Sequence, residues 1–154
     1  MEDQALTGEP QISAEIDSDI AETYRKVAKE RGYHFSTFEW LAVHDPDFDR
    51  VRLEMIQATY TRKDGALPPK YRELIACAIL AFRNYPSLKL HLARALREGA
   101  SVAEVVQALE MASIPGGMPV LHQGIDLLIE IEKEQPELFV TAKQSPPEHS
   151  ANGQ

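Results

Sequence analysis

His91 is the residue of this 154-residue chain whose type and setting best suit proton chemistry. It closes the stretch Asn84-Tyr85-Pro86-Ser87-Leu88-Lys89-Leu90-His91, and on a helix its neighbours are Leu88, Leu92 and Ala95. That places it at the edge of an apolar face. An imidazole titrates near ~6.5 when unperturbed, so it can take or give a proton at neutral pH. The plainer role is a core histidine bonded to a backbone carbonyl. Arg94, one turn on, and the N-terminus of the helix both disfavour the imidazolium, which suits a base. Glu73 reads two ways. It is a solvated first-turn acid that complements a helix dipole, or a carboxylate that orients His91 and relays its proton. His122 has Asp126 four residues on, a spacing that lets the two meet on one helix face. They form a surface or interface pair, or His122 is a second pocket histidine oriented by Asp126.

The remaining candidates carry less chemistry. Cys77 lies inside the apolar run Leu74-Ile75-Ala76-Cys77-Ala78-Ile79-Leu80-Ala81-Phe82 and reads as a small core residue. His34 and His44 sit beside helix breaks, and His149 lies in a polar tail. The five histidines show no spacing that would converge three ligands on a metal. Ile114-Pro115-Gly116-Gly117-Met118-Pro119 lets backbones approach closely or turns free N–H groups toward an anion, but it contains no phosphate-loop pattern.

The elements that must position these residues read as helices. Asp19–Glu30 has helical apolar spacing and stops at Gly32. Ser36-Thr37-Phe38-Glu39 reads as a capping box, and Asp45-Pro46 opens a helix with Phe48, Val51, Met55, Ile56 and Ala58 expected inward. After the Lys63-Asp64-Gly65 turn, a helix runs from Lys70 to about Arg83, with Leu74, Ile75, Ala78, Ile79 and Phe82 expected on its buried side. Pro86 restarts a helix that ends at Gly99, and Ser101-Val102-Ala103-Glu104 is a second capping box. Pro115-Gly116-Gly117 breaks that helix, and Pro119 opens the last one, to about Glu134. The expectation is an all-α bundle of about seven helices. It comprises a flexible segment 1–16, a single domain 17–140 and a disordered tail 141–154. The apolar run around Leu74–Phe82 suggests a central helix or a subunit contact, hence a homo-oligomer.

Composition removes several classes of function. The formal net charge of −8 is the wrong sign for a general nucleic-acid binder or for docking on anionic lipid. No apolar run is long enough to span a bilayer, and no early apolar stretch with a basic flank reads as a signal peptide. A single cysteine cannot form an internal disulfide, which fits a cytoplasmic protein.

Leu67-Pro68-Pro69-Lys70-Tyr71-Arg72-Glu73-Leu74-Ile75, the histidine helix ending in Gly99, the capped helix after it and the small-residue turn before the final helix together resemble the carboxymuconolactone decarboxylase family. That family also includes the AhpD-like alkylhydroperoxidases. Leu67–Leu121 carries nearly all of the likeness, and the segment Glu39–Ala58 resembles the preceding helix pair. The resemblance implies an AhpD-like helical bundle assembled as a trimer or hexamer. It also implies a pocket near the start of the histidine helix. In the peroxidase branch a Cys-x-x-Cys precedes that histidine, and a Glu of the preceding helix assists proton transfer. Here the thiol positions hold Asn84 and Ser87, and the Glu73-to-His91 spacing is one residue shorter. The decarboxylase branch lacks the cysteines and keeps the histidine. The resemblance therefore implies a cofactor-independent lyase for a small unsaturated lactone acid. His91 is its acid or base, its partner is His122, Arg72 or Glu73, Arg72 is a cation for placing the substrate carboxylate, and Tyr85 and Ser87 line the pocket. Ser87 equally serves as a helix cap. The alternatives are a non-catalytic small-acid binder or scaffold, or another proton-transfer enzyme such as an isomerase or cyclase.

Overall fold

A computed structural model describes residues 4–5 and 11–144 of the chain. The protein is all-α: among the described residues eight helices accompany one two-residue antiparallel ladder. The contacts fall into two compact units, Met1–Ala66 and Leu67–Gln154, where the sequence alone suggested one domain.

In the first unit, β1 (Gln4–Ala5) pairs with β2 (Tyr33–His34). Helix α1 (Ser18–Arg31) buries Ile20, Ala21, Tyr24, Val27 and Ala28 and stops at Gly32, whose φ of 75° is the left-handed conformation glycine adopts freely. The core joins these to Ile16, Ala42 and Leu53, with Ile12 packed against it. Packing thus begins inside the segment expected to be flexible.

Helix α2 (Ser36–His44) starts at Ser36 itself, with Phe35 and not Ser36 at the cap position. Glu39 accepts from the Ser13 N–H at 3.2 Å. Helix α3 (Pro46–Thr59) begins as expected, with the Asp45 carboxylate accepting from Phe48 N–H at 3.1 Å. Its inward face differs from the expected one. Asp49 and Leu53 are buried, while Phe48, Val51 and Met55 are exposed. Asp49 tolerates burial because Tyr24 Oη donates to it at 2.9 Å and Arg52 Nε at 2.6 Å. The Arg52 guanidinium lies 3.9 Å from the centre of the Phe38 ring.

The second unit packs α4 (Pro69–Phe82) against α5 (Leu88–Arg97) and α6 (Val102–Gly116). Helices α7 (Met118–Glu134) and α8 (Pro136–Gln144) close the group. Helix α5 is the central one. Eight of its ten residues are buried, from Leu88 to Leu96 with only Lys89 partly exposed in that run. The apolar α4 is not the buried-all-round helix it resembled. It turns Glu73, Cys77 and Ala81 inward, and Ile75, Ile79 and Phe82 remain about half exposed. The small side chains at 77 and 81 let the neighbouring helices come close.

The Ser101 capping box forms in full. Pro115 sits inside the last turn of α6 rather than ending it, and Gly117, at φ 79°, makes the break. Helix α8 was missed in the sequence. Pro136 occupies a first-turn position, where proline is tolerated, and Phe139 is buried in the core. The helix extends past residue 140; the rest of the tail, with His149, lies outside the described residues.

Candidate functional site

The site is built by α4 and α5. Helix α4 begins with Pro68-Pro69, which leaves Glu73 one turn inside it on the face turned to α5. Its end is set by Asn84, whose φ of 51° is left-handed, a conformation asparagine tolerates better than most residues. The chain then re-enters helix at Leu88, with Ser87 at the cap, two residues later than Pro86 suggested. One turn into α5, His91 meets Glu73.

The geometry is a buried line of three charged or ionisable groups. Glu73 is 1% exposed, and His91 and Arg94 are each 6% exposed. Glu73 Oε2 lies 2.9 Å from His91 Nδ1, and Glu73 Oε1 lies 2.8 Å from Arg94 Nε. One carboxylate therefore uses both oxygens, one toward each partner. Arg94 Nη2 also lies 3.5 Å from Glu98, which is partly exposed. A carboxylate only accepts hydrogen bonds, so the hydrogen of the neutral ring belongs on Nδ1. Nε2 is then the accepting nitrogen. This arrangement orients an imidazole and gives it a basic atom pointing away from its carboxylate, the usual equipment for general acid–base work.

Of the alternatives left open by the sequence, burial rules out a solvated Glu73, and His91 Nδ1 has a carboxylate partner. The other candidates do not join them. His122 and Asp126 are exposed on α7 and are not part of the buried line. Arg72 turns its Nε to the Leu67 carbonyl at 2.7 Å. Tyr85 is 53% exposed, whereas Ser87 is buried at the start of α5. Cys77 is fully buried one turn beyond Glu73. Burial, and then the Glu73 charge, push its thiol above the ordinary value of 9.0. Such a group is a poor nucleophile. Arg94 is the member that sequence reasoning placed near His91 without giving it a contact. The available signal was its position three residues after the histidine, a spacing that puts the two on one helix face. Among the described residues, no group of three His, Cys, Asp or Glu side chains could hold a metal ion.

The model of the carboxymuconolactone decarboxylase family matches residues 46–130, more than half of the chain. The chain belongs to the carboxymuconolactone decarboxylase family. That match runs from the first residue of α3 into α7 and contains Glu73, His91 and Arg94. A crystal structure from Burkholderia xenovorans LB400, of a protein provisionally named a carboxymuconolactone decarboxylase, has the same fold. It is 24% identical, with a TM-score of 0.68 over 77% of this chain and 96% of that one. No curated protein matches the chain significantly. Within the carboxymuconolactone decarboxylase family, this member carries its histidine on the central helix, and Asn84 and Ser87 occupy the positions assigned from sequence to the peroxidase thiols.

Proposed function

We propose that the protein is a cofactor-independent lyase that decarboxylates a small unsaturated lactone acid, with His91 as general acid and base. The observation that carries this reading is the buried contact from Glu73 to His91 at 2.9 Å, which holds the imidazole in one orientation. In the reaction the electron pair of the breaking C–C bond passes into the unsaturated lactone as CO2 leaves. His91 Nε2, the acceptor at rest, takes a proton from solvent and delivers it to that carbon, which returns the ring to its starting tautomer. Glu73 acts through His91 and does not touch substrate. Family membership and the absence of thiols at 84 and 87 support this reading over thiol-dependent peroxide reduction.

We further propose that the protein works in the cytoplasm as a homo-oligomer, a trimer or hexamer. Exposed Ile75, Ile79 and Phe82 of α4, and Met111, Ile114 and Met118 around the α6–α7 junction, form the contact. Phe82 lies against Gly116, so the two apolar stripes adjoin there.

The direct test is CO2 release from small unsaturated lactone carboxylic acids by the wild type and by His91→Asn. Loss of a positioned acid or base should lower turnover by about 10²–10⁴-fold while the fold and assembly persist. Wild-type activity retained by a folded His91→Asn protein would remove His91 from the mechanism.

A further inference from the structure

We propose that Arg94 is a positioning residue: its contact with Glu73 decides which nitrogen of His91 carries the hydrogen, and so which way that histidine moves a proton. Glu73 is enclosed between α4 and α5 and accessible to almost no solvent. An enclosed carboxylate without a cation escapes its desolvation cost by taking up a proton. Arg94 supplies that cation at 2.8 Å, itself buried, with Glu98 at 3.5 Å on its outer side. Cys77, one turn beyond Glu73, is a neutral thiol, because burial and the Glu73 charge both oppose its ionisation.

Two arrangements of the same three side chains follow. With Arg94 in place, Glu73 is a carboxylate, His91 donates from Nδ1 and its Nε2 is a base. With the cation removed, Glu73 gains a proton and becomes a donor. His91 Nδ1 then accepts, and the ring hydrogen moves to Nε2. Nε2 loses its lone pair for catalysis although no atom that faces substrate has been changed. The functional consequence rests on the lyase reading above. The tautomer itself does not, and it can be read without any substrate.

The test is the ¹⁵N spectrum of the histidine rings in the full-length protein at alkaline pH, with His91 assigned by the signals lost in His91→Asn. Wild type should show His91 with hydrogen on Nδ1, the tautomer that an unconstrained imidazole disfavours. Arg94→Met should move the hydrogen to Nε2, and Arg94→Lys, which keeps a cation in reach of Glu73, should restore it to Nδ1. If Arg94→Met does not fold, Arg94→Gln, neutral and of similar length, is read in the same way. A wild-type His91 with its hydrogen on Nε2 overturns the proposal, as does a folded neutral variant that keeps it on Nδ1. The expected tautomers with no turnover of any lactone acid would sink the lyase reading and leave the role of Arg94 standing. Turnover with unchanged tautomers would do the reverse.

Discussion

Cys77 shows how much a position decides about a side chain. The same thiol at residue 84 or 87 would sit at a helix start, where thiolates are stabilised. At 77 it has no exposed surface and an acidic neighbour, and both factors hold it neutral. A thiol reagent should therefore fail to label native protein and label it fully once denatured. Rapid labelling of the folded chain would show that α4 opens readily. Hydroperoxide turnover with a dithiol reductant should be absent, and turnover that Cys77→Ala abolishes would contradict the reading of this residue as core. His91 and Glu73 make the opposite point. Their residue types suggested chemistry, but only burial and a 2.9 Å contact make them a unit. Arg94 was visible as a charge three residues from the histidine, but its partner on α4 was not. The contact spans two helices, and nothing in the linear sequence fixes their relative rotation.

Helix starts and stops were legible because they depend on local chemistry. Gly32, Asp45 and the Ser101–Glu104 box act within a turn of themselves, and all three behave as read. In the box, Glu104 Oε2 accepts from Ser101 N–H at 2.7 Å, and its Oε1 accepts from Lys70 Nζ at 3.2 Å, which ties α4 to α6. Burial opposes its ionised form, but the Ser101 N–H and Lys70 outweigh it, so its carboxyl sits below the ordinary 4.5. A carboxyl with a depressed folded-state pKa contributes stability above its unfolded value. That contribution is lost as the pH falls through the depressed one. The thermal stability of wild type should thus fall as the pH drops below 4.5, and Glu104→Gln should flatten the curve in that window. Identical pH dependence in the two proteins would show that the pair contributes nothing.

A Cβ built at Gly124 would lie 2.6 Å from Leu109 Cδ1, in a side chain with no exposed surface. Alanine would gain about 1 kcal/mol in helix propensity. Overpacking a closed core costs about 1–3 kcal/mol, so steric conflict should win. Gly124→Ala should lower the denaturation midpoint; an unchanged or raised midpoint would mean that Leu109 can move aside. Where the sequence misassigned a face, as in α3 and α4, the cause was an apolar pattern too broad to carry a phase. In α4 the buried side is marked by Glu73, Cys77 and Ala81, residues that hydropathy alone would not select.

For the assembled protein, the exposed apolar residues of α4, α6 and α7 carry the expectation. Ile114 is 77% exposed and Ile79 is 54% exposed, and Phe82 and Met111 are exposed as well. Water-facing aliphatic side chains at this density are the mark of a surface that another chain covers. Sedimentation of wild type should show a stable oligomer at micromolar concentration. The double change Ile79→Asp and Ile114→Asp should convert it to a folded monomer, and a wild type that is already monomeric would remove the proposal. No helix of the described residues is long and apolar enough to cross a membrane, so this patch is not explained by a span.

The sequence by itself determined that the chain would be helical, where most helices begin and end, which family it resembles and that His91 was the residue to watch. These follow from interactions within about a turn of the chain, or from an ordered string of such turns. Tertiary structure alone decided that α5 and not α4 is central, that an eighth helix packs through Phe139, and that Asp49 and Glu73 are interior charges. It also decided that His122 and Asp126 are exposed on α7 and that Arg94 lies against Glu73. Each of those depends on the rotation and distance between helices far apart in sequence. Those are set by packing and by the pairing of buried charges, and no local pattern records them.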